Sequence, residues 1–183
     1  MNTSRLRLRR QSIRRRRLAA ALWVTMGTGV TTIAMTSNVS AQQWAFPTTG
    51  TWSDGTKWVG GMNPNSDTAN AEIITTGGDY VVTLNTDQSV LTLTVGSANA
   101  TLEHTSGILS VAGGITVTDG KYVLNNGTIQ GGTFATSGSG QLEIVAGVFD
   151  GVALTGDLVL DQFNTSLTMT GDSSFTGDAN ISN

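Results

Sequence analysis

Short runs with apolar residues at alternate positions, mostly with threonine between them, limit the fold of this chain more than any other feature. They occupy residues 80–84, 91–95, 115–118, 142–144 and 167–169, with Gly, Asn, Asp or Ser close to their ends. An apolar side chain at every second position indicates a β-strand with one buried face. The charged helix formers Lys, Glu and Arg are nearly absent after residue 41. The sequence therefore predicts an all-β fold.

Glycine spacing predicts how these strands are connected. Between residues 107 and 177, glycines interrupt the chain about every four to nine residues, closer than the roughly 8–12 residues between turn signals in a β-sandwich. Short strands joined by tight corners are typical of a parallel β-solenoid, with coils of roughly 20 residues. Residues 79–183 would then form about five coils, enough to bury a continuous core. The internal repeats are imperfect, so no register is assigned.

Residues 42–71 differ in composition from the rest, since they contain three of the four tryptophans, both prolines and Lys57. The open end of a strand stack exposes apolar core and unpaired backbone unless another segment covers it. Large aromatic side chains in a proline-stiffened loop suit that role, so we expect an N-terminal aromatic cap. A second interpretation is a carbohydrate platform, because tryptophan rings can stack on sugars. Both interpretations concern the same side chains: Trp44, Trp52 and Trp58.

Residues 1–41 have the pattern of a secretory signal. Eight arginines lie between residues 5 and 17, an apolar stretch runs from Leu18 to about Met35, and small side chains follow at Val39 and Ala41. This order predicts export, with cleavage between Ala41 and Gln42. A retained membrane anchor is the alternative, although threonines and glycines interrupt the apolar stretch and its length barely spans a bilayer.

Removal of the signal leaves an acidic protein. Two lysines against 13 carboxylates give residues 42–183 a formal charge of −11, and no arginine remains. Affinity for a phosphate backbone comes from Lys and Arg displacing counterions, so nucleic acid and anionic membrane surfaces are poor partners. There is no cysteine, which means that stability must come from packing and backbone pairing. Glycans or cell-surface components are the partners we expect.

No pattern predicts a catalytic residue, a cofactor or a metal site. The carboxylates are scattered and Lys121 is the sole cation among the repeats, whereas enzymes acting on acidic polysaccharides need clustered carboxylates and a basic residue. His104 is the only histidine, and we expect it on the surface, since a metal site needs three or four ligands. Asn99, Asn125, Asn126 and Asn164 are expected to form amide ladders between coils.

The tryptophan-rich segment and the repeats together resemble a known class of exported bacterial proteins, those with autotransporter-associated β-strand repeats, and the N-terminal part of PEP-CTERM-type surface proteins. The resemblance depends on Trp44, Gly50-Thr51-Trp52-Ser53-Asp54, Trp58-x-Gly60-Gly61, Pro64 and Asp67-x-Ala69, followed by Gly127-Thr-Ile-Gln-Gly-Gly-Thr-Phe134. It implies a right-handed parallel β-helix that is displayed or released, often within a longer polypeptide. Right-handed crossovers are also the general preference of parallel strands.

The sequence thus predicts a signal peptide at residues 1–41, a cap at 42–71 and β-solenoid repeats at 72–183. Because residues 176–183 still have repeat-like sequence, we expect an incomplete C-terminal end whose open strand edge permits self-association. The leading functional expectation is a non-catalytic structural or adhesin-like passenger segment at the cell surface or outside the cell, with the outer membrane and periplasm as further locations. A carbohydrate-binding module and a polysaccharide-active enzyme are the alternatives.

Overall fold

In the computed structural model, which describes residues 41–160 and 162–181, the chain is a parallel β-solenoid of about six turns. This confirms the predicted all-β solenoid fold. The predicted signal peptide lies outside the described residues except for Ala41. The strands in chain order are β1 (Gln42–Gln43), β2 (Gly50–Thr51), β3 (Asn70–Ile73), β4 (Tyr80–Leu84), β5 (Gln88–His104), β6 (Ile108–Gln130), β7 (Thr133–Thr136), β8 (Gln141–Asp150), β9 (Ala153–Thr155), β10 (Leu158–Leu160), β11 (Ser166–Thr170), β12 (Ser174–Phe175) and β13 (Ala179–Ile181).

The complete coils contribute strand segments to three faces, and the long strands β5, β6 and β8 pass from one face to the next without a break. Face A is the continuous stack of β1, β3, residues 92–95, residues 114–117, β7, β9 and β12. Face B stacks β2, β4, residues 101–104, 121–124 and 141–144. Face C comprises residues 88–90, 109–111, 127–130 and 146–150, followed by β11.

The register along face A shows that the coils differ in length. The residues that stack at its centre are Ala71, Leu93, Ile115, Phe134, Leu154 and Phe175. The number of residues from Ala71 to Leu93 equals the number from Leu93 to Ile115, and each later pair of stacked residues is separated by fewer residues. Unequal coil lengths explain why the repeats are imperfect in sequence. All strand pairs on face A are parallel, which leaves inward side chains stacked in columns through one apolar core.

The inward columns follow directly from the alternation in sequence. In β4, Tyr80, Val82 and Leu84 are buried while Val81 and Thr83 are only partly so. Val82 stacks on Leu102, and Leu102 on Tyr122, all fully buried. Parallel pairing without a register slip thus keeps the buried apolar residues of successive coils on the same side.

A column of glycines forms the corner between faces C and A. Gly131, Gly151 and Gly171 recur at a constant interval and have φ values of 75°, 67° and 57°. Side chains rarely adopt this left-handed conformation, whereas glycine does so without steric penalty. The N–H groups of Gly131 and Gly151 donate to the carbonyls of Asp150 and Thr170, at 2.8 and 3.0 Å, so the corner also joins neighbouring coils.

Among residues 41–160 and 162–181, no helix is long and apolar enough to cross a bilayer.

A 3-10 turn at Gly55–Lys57 follows Asp54, whose carboxylate accepts hydrogen bonds from the N–H and hydroxyl of Thr56, at 3.0 and 2.6 Å. These bonds lower the pKa of Asp54.

Candidate functional site

Face B is interrupted, and the interruption leaves a cleft. Residues 141–144 pair with residues 121–124 on one side, but the next segment on this face, β10, pairs only with β13 in a separate two-stranded sheet. Faces A and C continue through the same coils without a break. The cavity between residues 141–144 and β10 has a volume of about 520 Å³, within the range of pockets that hold small ligands. We call it the face-B cleft.

The interruption has a local cause in the chain. Four residues, 137–140, form the corner between β7 and β8, but only two, 156–157, separate β9 from β10. The shorter corner starts β10 too early to align with residues 141–144. Residues 162–165 form no strand before β11, whereas β8 passes from face B to face C as one strand.

The apolar part of the cleft consists of Leu142, Ile144, Leu154 and Val159. Ile144 and Leu154 are buried, and Leu142 is only partly buried although Tyr122, directly beside it on face B, is fully buried. Val159 is 40% exposed. No strand pairs with residues 141–144 on the side of β10 among the described residues, so apolar surface is exposed there. In the preceding coils the next strand of face B covers the equivalent surface.

The polar part of the cleft is built around an ion pair. Lys121 donates to Glu143 across neighbouring coils at 2.8 Å, and both side chains are partly exposed. The hydrogen bond from Lys121 lowers the pKa of Glu143, with a smaller contribution from Gln162. Asp157 supplies a second carboxylate. One lysine and two carboxylates therefore leave the cleft with a net negative charge.

The three predicted tryptophans form one cluster beneath the first coil. Trp44, Trp52 and Trp58 are 0%, 0% and 2% exposed. The ring of Trp58 lies edge-on to the other two, with centroid distances of 5.2 Å to Trp44 and 4.8 Å to Trp52. Edge-to-face contacts of this kind stabilise aromatic clusters. The segment that carries them also contributes β1 and β2 to faces A and B.

Each indole N–H of the cluster is satisfied by a backbone carbonyl. Trp44 donates to Thr48 at 3.1 Å, Trp52 to Pro64 at 3.0 Å, and Trp58 to Trp52 at 2.7 Å. A sugar platform needs an exposed ring face, and these rings are covered by protein. The geometry favours the cap interpretation over the glycan platform for these three residues.

His104 lies in the core, so the predicted surface position is wrong. It is fully buried inside a column that runs from Leu84 through His104 to Leu124. Nε2 lies 3.1 Å from the carbonyl of Gly107, and Nδ1 lies 3.0 Å from the hydroxyl of Tyr122. Because a carbonyl only accepts, Nε2 carries the proton and Nδ1 accepts from Tyr122. Burial lowers the pKa of His104 to about 4 and raises that of Tyr122.

The asparagine ladders differ from the prediction in their partners. The side chain of Asn99 donates to Asp79 in the preceding coil at 2.5 Å, and that of Asn125 to Glu103 at 3.4 Å. Asn126 and Asn164 have φ values of 71° and 63°, so they serve as left-handed turn residues. The bonds between coils therefore join unlike side chains.

Ala41 and Gln42, the predicted cleavage junction, lie immediately before the solenoid. Gln42 begins β1, and its side-chain amide donates to the carbonyl of Met62 at 2.8 Å. Within the described part of the chain, no group of three or more His, Asp or Glu side chains is placed to hold a metal ion.

Sequence reasoning missed the face-B cleft, including Lys121, Glu143 and Asp157. The signal that locates it is the difference in corner length, with Ser137-Gly-Ser-Gly140 in one coil and Gly156-Asp157 in the next. The difference can be recognised only when the two corners are known to occupy equivalent positions in neighbouring coils.

Comparison of the chain with models of protein families, with curated proteins and with solved structures finds no match.

Proposed function

We propose that this chain is a non-catalytic, exported β-solenoid that acts as a structural or adhesin-like passenger segment at the cell surface or outside the cell. The observation that carries the proposal is that several of its surface carboxylates are engaged in bonds between coils. Such bonds fix one coil on the next, which is the task of a structural element.

Two columns of polar side chains illustrate this use. On one corner, Asn99 donates to Asp79 and, two coils further along the chain, Ser139 donates to Asp119 at 2.6 Å. At the end of face C, the side chain of Gln130 donates to Asp150 at 3.0 Å, and Thr170 donates to the same carboxylate at 3.1 Å. Each of these bonds therefore joins one coil to its neighbour. A hydrogen bond to a charged acceptor contributes about 1.5–3 kcal/mol when it is protected from water, and less on an exposed surface.

Export is supported by the basic and apolar segments before Ala41 and by the charge of −11 on residues 42–183. A strongly acidic surface without arginine keeps a displayed protein soluble and away from polyphosphates. The resemblance to exported proteins with autotransporter-associated β-strand repeats supports the same location, with glycans or other cell-surface components as partners.

Expression of the full chain in a Gram-negative host with a C-terminal epitope tag tests the proposal. The expected product lies outside the cytoplasm and begins at Gln42 by mass spectrometry. Ala41→Leu should block cleavage, because the position before the cut requires a small side chain. Ala20→Leu, inside the apolar stretch, is the matched control and should leave cleavage unchanged.

Two outcomes would contradict the proposal. A cytoplasmic product that retains Met1 would contradict the proposal that the protein is exported. Turnover of a uronic-acid polymer by the purified protein, abolished by Asp→Asn exchange at a single position, would remove the non-catalytic assignment.

A further inference from the structure

We propose that the face-B cleft is a binding site for an extended peptide segment of a partner protein, which adds to the solenoid as a strand beside residues 141–144. This inference goes beyond the proposed structural role and does not depend on export. It rests on the backbone, the apolar floor and the charge of the cleft.

The backbone of residues 141–144 has a free edge. These residues pair with residues 121–124, and no strand occupies their other side among the described residues, since β10 pairs with β13. In a parallel strand, N–H and C=O groups point alternately to the two sides, so the unpaired side presents donors and acceptors to the cleft. An extended peptide satisfies such an edge by β-strand addition.

The floor of the cleft suits one face of that peptide. Leu142, Leu154 and Val159 line it, and the side chains of an extended segment alternate between two faces. Apolar residues at every second position of the partner would cover Leu142 and replace the neighbour that it lacks on face B. The polar residues between them would point to solvent, as they do on the preceding coils.

The charge of the cleft selects the polar residues of the partner. Lys121 and Glu143 are already paired at 2.8 Å, so no lysine or arginine of the cleft lining balances the charge of Asp157, whose Oδ1 accepts the N–H of Asp178 at 2.9 Å. A lysine or arginine in the partner would be attracted, whereas a glutamate would be repelled. The occupant that fits is therefore an extended, cationic peptide with alternating apolar residues.

Fluorescence polarisation with the purified full chain tests this proposal. The probe is a fluorescein-labelled seven-residue peptide in which valine alternates with threonine and the central residue is lysine. We expect saturable binding, weaker by about tenfold when the central lysine is replaced by glutamate, which corresponds to about 1.4 kcal/mol. A probe N-methylated along one edge should not bind, because methylation removes the donors of the ladder.

A variant pair locates the site. Val159→Lys places a charge in the cleft and should weaken binding at least about tenfold. Leu91→Lys is the matched control, because Leu91 is also a strand residue and is 38% exposed against 40% for Val159, but it does not line the cleft. Hydrogen exchange of the unmodified protein gives a second readout, in which saturating probe should protect amides within residues 141–144.

Three results would overturn the inference. They are the absence of saturable binding, equal binding of the N-methylated probe, and binding that leaves the amides of residues 141–144 unprotected. Self-association of the chain that protects these amides without any peptide would identify a second copy as the occupant and would overturn the choice of partner.

Discussion

Acid should destabilise this protein through a single buried side chain, His104. Its imidazole is fully buried and neutral, with Nε2 donating to Gly107 and Nδ1 accepting from Tyr122. Protonation would put a charge in the core and a donor against the hydroxyl of Tyr122. Because the pKa falls from 6.5 to about 4 on folding, the unfolded chain binds more protons between these values. Stability is therefore complete above pH 6.5 and is lost as the pH falls towards 4.

The size of the effect follows from the shift in pKa. A difference of about 2.5 units corresponds to about 3 kcal/mol when the pH is below both values, since each unit is worth about 1.36 kcal/mol. At pH 5 the same linkage lowers the free energy of unfolding by about 2 kcal/mol. Ordinary carboxyl groups titrate near pH 4 and contribute little at that point. His104 is the only histidine in the sequence, so this range of pH isolates it.

Urea denaturation at pH 7 and pH 5 measures the effect. Wild type should lose about 2 kcal/mol of unfolding free energy between the two values. His104→Gln should lose much less, because a neutral amide side chain has no proton to gain in this range. The variant starts from a lower stability, so the comparison concerns the pH-dependent difference within each protein. Equal losses in the two proteins would show that His104 does not carry the acid response, and the reasoning would fail.

Two further predictions concern packing. Trp58→Ala should lower the free energy of unfolding by about 3–5 kcal/mol, whereas Val59→Ala, at a side chain that is 56% exposed, should change it by less than about 0.5 kcal/mol; similar chemical denaturation midpoints for both would contradict the cap. Gly127→Ala should cost about 1–3 kcal/mol, because a Cβ there would overlap the ring of His104. Gly78→Ala meets no atom within 4 Å and should be neutral in thermal melts; a neutral Gly127→Ala would refute the close contact.

The strands could be predicted from the sequence because their signal is local. Alternation in residues 80–84 and 167–169 determines which side chains can share a face, whatever the neighbouring coil is. The solenoid also follows from local information, since glycines about every four to nine residues indicate short strands joined by tight corners.

The register could not be predicted from apolar alternation alone, because coil length varies along face A. The glycines contain the missing information. Gly131, Gly151 and Gly171 recur at one constant interval, and Gly107, Gly127 and Gly147 recur at the same interval. That period places His104 in one column with Leu84 and Leu124, which would have predicted its burial.

The cleft is harder to predict because it arises from a departure from the period. A corner that is two residues shorter has no signal of its own, and Gly156-Asp157 is ordinary turn sequence. Its effect depends on the distance from residues 141–144 to β10, which is a property of two stacked coils.

Hydrogen bonds between side chains of different types join neighbouring coils, and they affect how such a chain gains or loses length in evolution. Asp79, Asn99, Asp119 and Ser139 recur once per coil, so carboxylates alternate with neutral partners along one edge. Deletion of the coil that carries Asn99 would bring Asp79 against Asp119, and like charges on neighbouring strands repel. Deletion of two coils would restore a carboxylate beside a hydroxyl. A deletion that begins after Asp79 should therefore be tolerated more readily when it removes two coils than when it removes one.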